Sequence, residues 1–212
     1  MKVLQLVVAA DGSSAHLEFV RHIGGNGCGS GEGQLYLPTD VALLLGEGGG
    51  QETVLVTEQE NHRVSQFKLD GTFIRIFAGT GTRGSGDGEF SRPYGITVLG
   101  SSGEVAVTDF NNHRVQIFDH EGKYKRQFGS RGKEADSQFY GPSALASDVH
   151  GNLLVLDLTN RLQVFSPEGK HLCTRNDLGL KGSSRKGMAW SDVGELAVAN
   201  GVGNQALVWR KE

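Results

Sequence analysis

Short apolar runs recur along this chain about every fifty residues: Val54-Leu55-Val56-Thr57, Val105-Ala106-Val107-Thr108, Leu153-Leu154-Val155-Leu156 and Leu196-Ala197-Val198-Ala199. Each leads into a segment in which apolar and polar positions alternate up to an aromatic residue. The copies are Asn61-His62-Arg63-Val64-Ser65-Gln66-Phe67, Asn112-His113-Arg114-Val115-Gln116-Ile117-Phe118 and, one residue shorter, Asn160-Arg161-Leu162-Gln163-Val164-Phe165. A decayed copy, Asn204-Gln205-Ala206-Leu207-Val208-Trp209, closes the series. After the first three copies stands an acidic residue followed by glycine, Asp70-Gly71, Glu121-Gly122 and Glu168-Gly169, a hairpin signal between alternating segments. Further short strands then follow, Phe73 to Phe77 and Tyr124 to Phe128. Upstream of the apolar runs lie Leu35 to Pro38, Phe90 to Pro93 and Phe139 to Pro142, each proline leading into a strand expected to begin near Val41, Ile96 or Leu145.

One period therefore holds four strands, here named a, b, c and d, and no helical periodicity. Four short antiparallel strands repeating at this length are the signature of a β-propeller blade. The pattern predicts an all-β chain forming one propeller domain over 1–212, with full blades at about 38–79, 93–129 and 142–174. Residues 1–24 supply strands c and d alone, and 187–210 supply a, b and c, so three full blades and two partial ones make a partial or small ring. Incomplete terminal blades leave strand edges open, which makes homo-oligomerisation an expectation. The 32 glycines fit this reading, because tight turns need a backbone that only glycine adopts freely.

The stretches Val-Thr-Glu-Gln-Glu-Asn-His-Arg-Val-Ser-Gln-Phe (56–67) and Val-Thr-Asp-Phe-Asn-Asn-His-Arg-Val-Gln-Ile-Phe (107–118), with Phe-Ser-Arg-Pro-Tyr-Gly at 90–95, resemble the NHL repeat. The resemblance is to the propeller portion of tripartite-motif-NHL proteins and weakens after about residue 170, where Arg185 replaces the proline and Gln205 the arginine. It implies a ring that usually closes with six blades. It also implies a recognition module, since some such propellers bind RNA as translational repressors. Longer relatives join the propeller to RING and B-box modules of ubiquitin ligases, and this sequence contains nothing of those modules.

Composition narrows the classes. Basic and acidic residues number 21 and 24, so no polyelectrolyte argument applies to the whole chain. Cys28 and Cys173 make no disulfide framework or zinc motif. No apolar run is long enough to span a membrane, and the weakly signal-like start, Met1 to Ala10, reads better as a strand, so the expectation is a cytoplasmic protein without membrane contact.

Strand parity places the d–a loops and b–c turns on one face, and the a–b loops and c–d turns on the other. Summed charge is slightly positive on the first face and strongly negative on the second, which favours an anionic partner on the first. That face carries the candidate binding residues Arg83, Arg92, Tyr94, Asn112, His113, Arg131, Lys133 and Tyr140. The expected function is a non-catalytic scaffold for a protein or peptide ligand. The first alternative is single-stranded RNA, which stacks its bases on aromatic and guanidinium planes. Arg63, Arg114 and Arg161 recur beside Glu58, Asp109 and Asp157, and these six residues read as a structural clamp within or between blades.

The glycine-rich loop 79–88 lacks the Gly-Lys-Ser/Thr ending of a phosphate loop and reads as a flexible d–a connection. A metal-dependent lyase or lactonase is the second alternative, because such enzymes share related rings. Of the strand-a positions that would face the channel, Asp40 alone is a carboxylate and none is histidine. No cofactor, metal or catalytic residue is therefore assigned.

Overall fold

The computed structural model describes residues 2–8, 15–24, 27–46, 50–180, 182, 187–191, 193–200 and 205–210. They form strands, with short 3-10 turns at Gly100–Ser102 and Phe110–Asn112. An N-terminal hairpin pairs β1 (Lys2–Val8) with β2 (Ala15–His22). The first four-stranded blade is β3 (Pro38–Leu44), β4 (Thr53–Glu58), β5 (Arg63–Lys68) and β6 (Phe73–Ala78). The second is β7 (Pro93–Leu99), β8 (Glu104–Asp109), β9 (Arg114–Phe118) and β10 (Tyr124–Phe128). A small parallel ribbon, β11 (Ser130–Arg131) with β12 (Gln138–Phe139), lies in the loop to the third blade. That blade is β13 (Pro142–Ser147), β14 (Leu153–Asp157), β15 (Leu162–Phe165) and β16 (His171–Arg175). A three-stranded sheet, β17 (Gly187–Trp190), β18 (Glu195–Asn200) and β19 (Gln205–Arg210), ends the series. Strands within every blade pair antiparallel in chain order. The architecture is the β-propeller that the repeat predicts, with three complete blades flanked by a pair of strands and a triplet. Arg185 lies outside the described residues.

The inner strands begin at their prolines, earlier than expected. Pro38, Pro93 and Pro142 sit opposite Glu58, Asp109 and Asp157, and a bulge follows each pairing. A proline at the first strand position costs no ladder hydrogen bond, which is why it can belong to the strand. Sterics push a residue before proline toward extended backbone, yet Leu37 and Arg92 have φ of 47° and 60°. The third copy places Gly141 there at 63°. All three repeats thus turn sharply into the inner strand through the left-handed region.

Inner strands β3, β7, β13 and β17 pack in succession, and the apolar cores form between blades. Strand parity explains how. On β8, Val105 and Val107 pack with Leu44, Leu55 and Phe77 of the first blade, whereas Ala106 faces Leu145, Leu153 and Phe165 of the third. Leu154 and Leu156 of the third blade pack likewise with Leu196 and Val198, and Ile23 after the N-terminal hairpin packs with Val54, Val56 and Phe67. Each fully buried side chain of this kind contributes about 1.5–3 kcal/mol, so a blade is stable largely through its neighbours.

Polar contacts sew the same seams. Arg75 Nη1 donates to the Glu121 carbonyl at 2.7 Å, and its repeat counterpart Arg126 donates through Nη2 to the Pro167 carbonyl at 2.6 Å. Arg126 also grips Glu104 with two nitrogens, at 2.6 and 3.0 Å, and Lys125 adds a third bond. Hydrogen bonds from Arg126, more than the opposing burial, hold the Glu104 pKa down to about 2.

Candidate functional site

The loop face is assembled by one carboxylate per blade. At the end of strand b, Glu58, Asp109 and Asp157 accept the backbone N–H of Tyr36, Ser91 and Tyr140, at 3.1, 2.8 and 3.0 Å. Each therefore pins the incoming d–a loop two residues before its proline. In the first two blades an arginine completes the arrangement. Arg63 Nε donates to Glu58 Oε1 at 2.8 Å while its Nη atoms donate to the carbonyls of Ser30 and Gln34. Arg114 Nε donates to Asp109 Oδ2 at 2.9 Å, and its Nη2 to the carbonyls of Gly86 and Glu89. Burial raises the Asp109 pKa, opposed by hydrogen bonds from Asn112, Ser91 and Arg114.

The third copy departs from this scheme. Among the described residues, Arg161 makes no ion pair with Asp157, and its Nη2 donates instead to the Ala135 carbonyl at 2.8 Å. The Asp157 carboxylate accepts the Thr159 hydroxyl and amide. The physical reason is the shorter turn: four positions separate Asp157 from Arg161, against five in the other two pairs, so the guanidinium leaves its strand at a different point.

Histidine bridges the blades. His62 Nδ1 accepts the Arg92 N–H at 3.1 Å, and His113 Nδ1 accepts the Gly141 N–H at 3.0 Å. An accepting Nδ1 requires a ring unprotonated there. Burial lowers the pKa of both; Arg92 and Arg83 lower His62 further against Glu60, and Arg131 lowers His113. His62, His113 and Asn160 occupy the left-handed region at 50°, 57° and 64°.

Six of the eight candidate contacts fall into two clusters, one per seam, and Tyr94 and Asn112 are engaged elsewhere. Around His113, the Tyr140 ring stacks at 5.7 Å and 15°, Lys133 Nζ lies 4.2 Å from the Tyr140 centroid, and Arg131 is close enough to act on the imidazole. Around His62 stand Arg83 and Arg92, but Arg92 already pairs with Glu60 at 2.8 Å. Arg83 and Arg131 occupy one repeat position: each forms a parallel bridge to the buried aromatic of its loop, Phe90 or Phe139. Both are exposed. Tyr94 packs on Phe110 at 6.1 Å. Asn112 is committed, donating to Gly84 O and Asp109 Oδ2. From sequence, His62 pairs with His113 at equivalent turns, too few ligands for a metal, and His62 is left out of the candidate contacts; Glu60 and Phe110 are missed.

The loop 79–88 is braced where flexibility was expected. Glu89 accepts the amides of Ser85 and Gly86, while Arg114 and Asn112 hold its carbonyls. The inner strands line a central cleft of about 370 Å³. There Asp40 accepts the amides of Val41 and Ile96, and burial raises its pKa. Among the described residues, no group of three or more His, Cys, Asp or Glu could hold a metal.

Residues 90–118 match the family model of the NHL repeat. "Protein brain tumor" of Drosophila melanogaster is 38% identical over 87 residues, 40% of this chain and 8% of that protein. "RING finger protein nhl-1" of Caenorhabditis elegans is 48% identical over 67 residues, 32% of this chain and 7% of its own length. "B-box type zinc finger protein ncl-1" of the same organism is 36% identical over 88 residues, 41% of this chain and 10% of that protein. The chain thus spans a tenth or less of the length of these relatives. Among solved structures, that of a nidogen/laminin complex superposes with a TM-score of 0.59 at 17% identity, over 94% of this chain and 69% of the other. Virginiamycin B lyase of Staphylococcus aureus does so with 0.53 at 12% identity, over 93% and 56%. Identities this low carry the fold alone. The repeat match and the blade architecture agree: the chain is a β-propeller that carries the NHL repeat.

Proposed function

We propose that this chain is a non-catalytic scaffold that binds a protein or peptide on its d–a/b–c loop face. The observation that carries the reading is the placement of Arg83 and Arg131 at one repeat position on consecutive loops, both exposed, each beside a seam histidine. Two like cations set one blade apart on braced loops suit an extended ligand with anionic groups. The interleaved acids Glu60, Asp87, Glu89, Glu134 and Asp136 weaken the field a nucleic acid would meet and favour sparse, specific charge pairing. The cleft between the inner strands offers one carboxylate, Asp40, already spent on backbone amides.

Single-stranded RNA is the second reading, supported by the Lys133–Tyr140–His113 stack, a platform on which a base would lie. A peptide-display selection on the intact chain tests both, with Arg83→Ala/Arg131→Ala as the variant. Selected peptides should lose about tenfold or more in affinity for the variant, as expected when charge-assisted bonds are removed, while its thermal midpoint stays unchanged. Unchanged affinity removes the face from the proposal. An oligouridine that binds tighter than any peptide, with affinity falling steeply as salt rises, would establish the RNA reading instead.

A further inference from the structure

The three clamp arginines form a controlled comparison within one molecule. Arg63 and Arg114 are buried and each is neutralised through Nε by a carboxylate of its own blade. Arg161 is equally buried, at 7% exposure, yet among the described residues no carboxylate pairs with its guanidinium. Nη2 has the Ala135 carbonyl as partner, and Nη1 is buried with no hydrogen-bond partner among the described residues. A buried cation without a counter-ion is costly unless a paired state exists, and buried polar atoms without partners are rare enough to need a cause.

Arg161 also lies in the wall of a cleft of about 400 Å³ on the loop face, lined as well by Lys133, Glu134, Asp136, Thr159, Thr174 and Asn176. The Thr159 and Thr174 hydroxyls already donate to Asp157 and Asp136, so the groups left for an anion are Arg161 and the exposed cation Lys133. Asp136 accepts the Thr174 hydroxyl at 2.9 Å, with His171 Nε2 at 3.4 Å.

We propose that this cleft is a receptor for a single carboxylate, the side chain of a glutamate or aspartate in a bound peptide, which supplies in trans the counter-ion that Glu58 and Asp109 supply in cis. The inference rests on the reading of the chain as a peptide scaffold and names the chemistry of one subsite. Entry requires the guanidinium to turn off the Ala135 carbonyl toward the cleft, exchanging one bond to a neutral acceptor for a bidentate pair with a carboxylate, in which both partners are charged. Glu134 and Asp136 in the lining balance Lys133 and Arg161, so the cleft has no surplus of positive charge for a dianionic phosphate and a single negative charge is the fitting guest. The planar fork of Arg161 matches the two oxygens of a carboxylate.

The probe is N-acetyl-glutamate amide, titrated into the isotope-labelled 212-residue chain and followed at the Arg161 Nε–H and the Thr159 and Thr174 amides. N-acetyl-glutamine amide and inorganic phosphate are run beside it. The glutamate probe should give saturable shifts at these three residues, with the glutamine probe and phosphate about tenfold weaker or silent, the loss expected when a charge-assisted pair cannot form. Arg161→Gln should abolish the response. Because that variant can also unfold, a second one inserts a histidine between Asn160 and Arg161, restoring the turn length of the other repeats. It should raise the thermal midpoint by forming the pair with Asp157, and it should lose the glutamate response. Equal shifts with the glutamine probe, or a glutamate response that survives the insertion, overturns the proposal, as does silence at Arg161, which would assign the unpartnered nitrogen to a buried water. Silence here with Arg83- and Arg131-dependent peptide capture intact removes this subsite alone; loss of that capture removes the scaffold reading.

Discussion

At the scale of single residues, the seam histidines act through a lone pair. His62 and His113 each accept a backbone N–H from the next blade at Nδ1, and protonation there would replace an acceptor with a donor. Burial lowers the pKa of both rings in the folded chain, while in the unfolded chain they titrate near 6.5. The unfolded state therefore binds protons first as pH falls. The stability these residues give is complete above about pH 6.5 and declines below it until the lowered folded pKa is passed. Glu104 loses its contribution in a separate window, as pH falls from its ordinary 4.5 toward about 2. Asp40 and Asp109, with pKa raised by burial, act with the opposite sign at acid pH. A comparison of His62→Asn/His113→Asn with the parent isolates the imidazoles, because an asparagine carbonyl can accept the same N–H and Asn160 already occupies this left-handed position in the third repeat. Urea midpoints at pH 7.5 and 5.5 should separate for the parent and nearly coincide for the variant. Equal pH dependence in both would show that the seam bonds survive protonation.

At the scale of elements, the c–d turns decide how closely blades can approach. Gly122, at φ 86°, ends the turn of the second blade against strand β6, and a Cβ there would overlap the Phe77 carbonyl oxygen and crowd its ring. Gly81, at φ 80°, has nothing within 4 Å of the same hypothetical atom. Both positions charge alanine for left-handed backbone, about 1–2 kcal/mol. Only Gly122→Ala must also push neighbouring blades apart across the seam that Phe77, Val105 and Phe118 fill. Thermal unfolding should show a loss for Gly122→Ala at least twice that for Gly81→Ala, and equal losses would mean the seam has slack. These turns were legible in advance because an acidic residue and glycine at a fixed distance from an aromatic admit few other structures. The inner-strand starts were not. Leu37 and Arg92 carry nothing that announces a left-handed turn before proline, and it is the distant carboxylates Glu58 and Asp109 that hold the loops into it. Of the clamp, the pairs of repeat-equivalent Arg63 and Arg114 with their carboxylates were legible, whereas the single-residue deletion that parts Arg161 from Asp157 reads as a trivial length change until the turn is built in space.

At the scale of the whole molecule, stability should grade along the chain rather than rise and fall as one. Each sheet gains its core from its neighbours, so blades with cover on both faces are held more firmly than those with cover on one. Strands β8 and β14 run through their sheets almost wholly buried, with Val105, Val107, Val155 and Leu156 at zero exposure. In the last sheet β17 alternates between exposed and half-buried positions, and Val208 on β19 is 61% exposed. The cluster joining that sheet to the third blade relies on partly buried Met188, Trp190 and Trp209. Amide hydrogen exchange followed by mass spectrometry should therefore find the amides of β7–β9 and β13–β15 at least about tenfold slower than those of β17–β19, reporting local opening of the last sheet before global unfolding. The gradient should steepen when Leu156→Ala removes a large side chain from the face the third blade turns toward the last sheet, and the second blade, which packs on the other side, should keep its protection. A single protection level across all these strands, falling uniformly in the variant, would mean that the sheets open as one cooperative body and that cover from neighbours does not set local stability.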